Sequence, residues 1–244
     1  MIINKRWLLL IVFTCLFLVL LLPLLVTGCK MTPEKLARKV AGKMNALHSY
    51  HVKGRAEVIT PDLVRVYYLE QWFKEPDLYR LDIKSEEGAK QVILGRGERV
   101  WVYHPELEDF YEINNQEGEE NLLPFFLNFF WNSLITGQEV EILGVEELSR
   151  GSAYKLRIIP QRADPHWSME KIWIGKRDLI PYLAEIYDDQ GNLRKTFDFE
   201  EITLDINIGP EIFKGDSFSL LHGRIPCFFI LFTFANRILS SYAE

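Results

Sequence analysis

Cys29 has the clearest chemical prospect in the chain. It follows Val26-Thr27-Gly28, and before that an apolar run from Trp7 to Val26 is preceded by Lys5 and Arg6. A short positive segment, an apolar segment and small residues ahead of a cysteine are what an export channel and a lipoprotein signal peptidase act upon. Residues 1–28 therefore read as a lipoprotein signal peptide, and Cys29 as the mature N-terminus carrying lipid, palmitate among its acyl chains. The apolar run is also long enough to cross a bilayer as a plain anchor helix, although Pro23 and the Thr-Gly-Cys ending favour cleavage. Either reading puts the remaining chain on the extracytoplasmic face of the cell membrane.

The other reactive side chains form no familiar constellation. Gly-X-Ser-X-Gly and His-Glu-X-X-His are missing, and no cysteine stands with a plausible base, so catalysis is not expected. His48 and His51 are spaced like a metal pair but lack further ligands nearby, and His104 beside Pro105 reads as a turn residue. Glu117, Glu119 and Glu120 lack the alternation of a calcium loop and suit a helix N-terminus. Gly95-Arg96-Gly97 reads as a hairpin turn rather than a phosphate cradle. No metal and no cofactor is expected.

Charge and cysteine content narrow the class further. The chain has 28 Lys and Arg against 34 Asp and Glu; removing residues 1–28 takes away Lys5 and Arg6 and leaves 26 minus 34, a net charge of -8. An acidic domain is unsuited to nucleic acid or to broad attraction by anionic lipid, so membrane attachment falls to the N-terminal lipid. Of the three cysteines, Cys15 lies in the signal and Cys29 is the lipid site, which leaves Cys227 without an intramolecular partner. The length fits one domain, residues 29–213, followed by a tail at 214–244. In that tail Ile225 to Ala235 is apolar but short of a membrane span, and a buried terminal strand and a shifted reading frame both fit it.

The elements that would position a site follow from hydrophobic rhythm. Thr32, Pro33 and Glu34 open a helix to Leu47, with Leu36, Val40, Met44 and Leu47 on one stripe that packs on the domain. From Tyr50 the period changes to two. Strands are predicted at 51–58, 64–73, 78–83, 91–94, 99–103 and 109–113, then at 140–143, 152–160, 168–174, 181–187 and 193–204, with short turns between most of them. Asn121 to Ile135 interrupts this meander as a helix rich in aromatic residues, with Pro124 near its start and Gly137 after its end.

The fold class is accordingly mainly β (α+β): an antiparallel sheet of about ten or eleven strands, strongly curved into an unclosed barrel, with a helical lid and an N-terminal helix. An apolar cavity between sheet and lid is expected, and its candidate lining is Leu123, Phe126, Phe129, Phe130 and Trp131 from the lid with Trp72 and Trp101 from the strands. Plain core packing of these aromatics, and of Trp167 and Trp173, is the competing reading.

Met44 to Tyr50 leading into the first strand, Gln71 to Arg80, the hairpin from Gly95 to Tyr103 and Trp101-Val102-Tyr103-His104-Pro105 together resemble the LolA/LolB-like lipoprotein-sorting fold family. Within it they are similar to the lipidated, germination-lipoprotein-like members of spore-forming bacteria. The resemblance spans roughly Leu36 to Phe213 and implies an unclosed barrel whose cavity accepts acyl chains or lipoproteins. Carriers of the family have an arginine before the proline of a Lys-Arg-Pro segment, whereas this chain reads Lys74-Glu75-Pro76. A tethered protein also cannot shuttle. The expected partners are thus acyl chains or lipoproteins, and alternatively an envelope protein served by a scaffold in envelope or spore germination processes.

Overall fold

The computed structural model describes residues 31–97, 99–113 and 125–213. Cys29, Leu123, the Glu117–Glu120 run and the 214–244 tail lie outside them. The chain divides into two units, Met1–Leu36 and Ala37–Glu244. In the first, Thr32 caps the opening turn of helix α1 (Pro33–Asn45): its hydroxyl accepts from the Lys35 amide at 3.3 Å and its carbonyl from the Leu36 amide at 2.9 Å. In the second, Val40 and Leu47 of the predicted stripe are buried.

The second unit is built on one eleven-stranded antiparallel sheet. Its strands are β1 (Ser49–Ile59), β2 (Val64–Lys74), β3 (Leu78–Ser85), β4 (Lys90–Arg96), β5 (Arg99–His104), β6 (Asp109–Ile113), β7 (Glu139–Leu148), β8 (Gly151–Ile159), β9 (Met169–Gly175), β10 (Pro181–Tyr187) and β11 (Leu193–Leu204). Their order is β6-β5-β4-β3-β2-β1-β11-β10-β9-β8-β7, so every pairing but one joins neighbours in sequence. β1 and β11 pair and join the two meanders, and β6 and β7 remain as edges. The sheet is therefore not closed into a barrel.

Alternation along the strands separates two faces. Val102, Ile93, Leu81, Gln71 and Val52 stand opposite one another across β5 to β1 on the inner, buried face. Trp101, Leu94, Arg80, Trp72 and His51 form the neighbouring row on the outer face. The sheet curls around its inner face: Arg150, in the β7–β8 turn, lies over the Tyr182 ring of β10 and donates to the Phe199 carbonyl of β11. Phe199 lies at a register shift between β1 and β11, where its partner Gly54 has no room for a side chain against the Asp198 backbone.

Helix α2 (Leu127–Thr136) lies on the inner face, with Leu127, Phe130, Trp131, Ser133 and Leu134 buried. It starts later than the sequence suggests. Phe126 is extended (φ -96°, ψ 139°) and offers no side-chain cap. Gly137 ends the helix as expected, and the reason is space: a Cβ there would lie 2.6 Å from Ile158 Cγ2 of β8. Among the described residues no helix is long and apolar enough to cross a membrane.

Candidate functional site: the inner face under helix α2

Gln71 of β2 does what Phe126 cannot. Its Oε1 accepts from the Leu127 amide at 3.0 Å, and its Nε2 donates to the Phe125 carbonyl at 2.7 Å. One fully buried amide thus satisfies a helix N-terminal N–H and fixes the chain that enters the helix. Trp131 anchors the middle, donating from Nε1 to the Leu179 carbonyl at 2.7 Å. Ser133 holds the far side, donating to Glu170 Oε1 of β9 at 3.1 Å.

Aromatic rings occupy the space between helix and sheet. Phe130 meets Phe197 and Phe199 of β11 at ring-centroid distances of 5.1 and 5.8 Å, and Phe125 meets Phe197 at 5.6 Å. Phe126 stands edge-on to Tyr79 at 5.3 Å. Tyr79 can lie flat there because its neighbour across the β3–β4 pair is Gly95, where a Cβ would fall 1.7 Å from the tyrosine ring. Phe129 packs against Trp167 at 5.0 Å. Phe130 and Trp131 are 0% exposed, while Phe126 and Phe129 are half-buried at the margin of the helix.

Four of the residues expected at the site, Phe126, Phe129, Phe130 and Trp131, are thus brought together. Trp72 and Trp101 are not with them, because their strand parity puts them on the outer face. There Trp72 is stacked on His51 at 5.1 Å on one side and carries the Arg80 guanidinium at 5.4 Å. Arg80 also donates to both oxygens of Asp82 and to the Ile212 carbonyl. Trp173, likewise outside, donates to Glu146 at 2.7 Å. The two histidines with metal-like spacing go to different carboxylates. His48 Nδ1 lies 2.6 Å from Glu75, whose hydrogen bond and charge raise the imidazole above its ordinary value, and His51 Nε2 lies 2.8 Å from Glu70. Among the described residues no three His, Cys, Asp or Glu side chains are grouped to hold a metal ion.

Glu170 is the unusual group of the inner face. It is 0% exposed, opposite Ile158 of β8 and Ile186 of β10. Trp167 Nε1 donates to its Oε1 at 2.9 Å, as Ser133 does, and Oε2 meets no partner among the described residues. Burial pushes its carboxyl up to about 7 against the pull of the two hydrogen bonds. Gln71 and Glu170 were both missed in the sequence, and one signal could have found them. Each is a polar residue at the buried parity of an apolar strand, Gln71 between Leu69 and Phe73 and Glu170 ahead of Ile172 and Ile174.

A family model described as "Sporulation protein YdcC-like" matches residues 5–213. The chain belongs to the YdcC-like sporulation protein family. No curated protein matches it as a relative. An uncharacterised conserved protein from Thermus thermophilus shares the fold of this YdcC-like chain at TM-score 0.50 and 14% identity, over 72% of this chain and 91% of that one. A LolA superfamily protein from Nitrosomonas europaea is similar at TM-score 0.36 and 16% identity, over 74% and 98% of the two chains. A structure of the CwlD amidase from Clostridioides difficile in complex with the GerS lipoprotein is similar at TM-score 0.38 and 19% identity, over 75% and 100%.

Proposed function

We propose that this YdcC-like protein is a lipid-anchored, extracytoplasmic scaffold of sporulation or germination. It works without catalysis and holds a protein partner on its surface. The observation that carries this reading is the complete burial of Phe130 and Trp131 beneath a helix capped by Gln71. Phe125, Phe130, Phe197 and Phe199 pack on one another where the LolA/LolB-like resemblance would lodge an acyl chain, which supports the surface reading. The second reading, acyl chains or lipoproteins bound under α2, is favoured by Phe126 and Phe129, whose half-buried rings give a greasy ligand a margin at which to enter.

Anchorage and occupancy are tested on the full chain, exported in a bacterial host and extracted in mild detergent. Its intact mass is expected to be that of residues 29–244 plus a covalent diacylglyceryl and acyl modification, and Cys29→Ser is expected to remain unprocessed. Native mass spectrometry of the same material is expected to show no further lipid. A stoichiometric non-covalent lipid would overturn the surface reading in favour of the second. An unmodified Cys29 would remove the anchor.

A further inference from the structure

Three side chains from three elements meet where the second half of α2 crosses β9. Ser133 comes from the helix, Glu170 from the strand, and Trp167 from the turn before it. That turn is built to present the indole: Asp164 Oδ1 accepts from the amides of His166 and Trp167 at 2.7 and 3.0 Å. Trp167 is thereby held with one edge on Glu170 and its ring against Phe129 of the helix. A carboxyl with no exposed surface, two donors on one oxygen and a second oxygen unpartnered among the described residues has the shape of a neutral acid.

Among the described residues few groups face Glu170. Helix α2 carries no ionisable residue, and the strand neighbours opposite are Ile158 and Ile186. Along the same row, Lys195 of β11 stands opposite Ile186 with its ammonium 5.7 Å from the Trp167 ring. Beyond it come Val58 of β1 and the exposed Arg65 of β2. Burial lowers the Lys195 ammonium, against the pull of Asp164. An acid that resists ionisation and a base that resists protonation thus share one row, with an indole between them.

We propose that Ser133, Glu170 and Trp167 form a proton-dependent latch, which holds α2 on the inner face while Glu170 carries a proton and loosens it when that proton leaves. In the loosened state water or the Lys195 ammonium reaches the carboxylate, and the rings under α2 become available to an apolar occupant. The sign follows from the raised carboxyl: the latch is fully held below about 4.5 and is lost as pH rises through about 7.

The test is amide hydrogen–deuterium exchange of residues 127–136 in the detergent-extracted full chain, corrected for the intrinsic pH dependence of exchange. With the carboxyl at about 7 when closed and 4.5 when hydrated, opening is expected to increase about 70-fold from pH 5 to pH 8. Glu170→Gln keeps shape but cannot ionise and is expected to give a flat profile; the same rise in that variant would overturn the latch. Ser133→Ala removes a hydrogen bond that pulls the carboxyl down, so its midpoint is expected to move to higher pH. An unmoved or lowered midpoint there would overturn the latch even if Glu170→Gln failed to fold.

Discussion

Gln71→Leu removes both hydrogen bonds that start helix α2 while keeping the side chain's bulk. The Leu127 amide and the Phe125 carbonyl then lose the Gln71 amide as partner, in a place where Gln71 itself has no exposed surface. Each orphaned backbone group costs about 1–3 kcal/mol, so the pair costs about 4 kcal/mol. In a domain of this size 1 kcal/mol moves Tm by about 2–4 °C, which gives a fall of roughly 8–16 °C. Gln71→Glu sharpens the argument. Buried, the introduced carboxyl is held above the usual carboxylate range, and protonated it can donate to Phe125 while accepting from Leu127. Its deficit against the native chain at the same pH is therefore small in acid and grows as pH rises, whereas that of Gln71→Leu is constant. Thermal unfolding of the three proteins at pH 5 and pH 8 measures this. Equal deficits for both variants at both pH values, or a Gln71→Leu fall of less than about 2 °C, would refute the idea that a strand amide caps the helix.

Two further outcomes test the scaffold. Gly95→Ala puts a Cβ where the Tyr79 ring lies and is expected to destabilise by about 1–3 kcal/mol, read as a lowered Tm; an unchanged Tm would mean that the ring does not need that place. Asp188 links the β10–β11 turn through the Asn192 amides and Arg194. Burial acts to raise its carboxyl, but these partners outweigh it and hold it down to about 2. Its contribution is present above about 3.8 and lost as pH falls through about 2, so Asp188→Asn is expected to be less stable at pH 5 and to lose less on acidification, measured by denaturant unfolding across that range.

What the sequence made legible, and what it did not, divides along the reach of each interaction. The strands could be read because each needs only its own alternation to bury one face, and that rhythm locates all eleven members of the sheet. Which face a large aromatic joins is a different matter. In Leu69-Glu70-Gln71-Trp72-Phe73 both parities carry large apolar groups, and the polar Gln71 is buried alongside Leu69 while Trp72 goes outside. The start of α2 was misplaced for the same reason, since its cap comes from a strand 56 residues away. Glu170, next to Lys171, looks like surface charge until register sets it between Ile158 and Ile186.

The polar groups that hold the lid share one property: each reaches the helix at a residue distant in sequence, Gln71 at Leu127 and Glu170 at Ser133. Apolar burial would hold α2 against the sheet in several orientations, because rings pack without strong direction. Gln71 and Glu170 select one of them, since a helix turned or slid from its place would leave the Leu127 amide without its acceptor, the Phe125 carbonyl without its donor and the Glu170 carboxyl without that of Ser133. Gln71 does this at any pH, and Glu170 only while it is neutral. The lid is therefore permanently fixed at its N-terminal end and conditionally fixed along its second half, so a loosening helix is expected to pivot about Leu127 and to uncover Phe129 and Trp167 before Phe130.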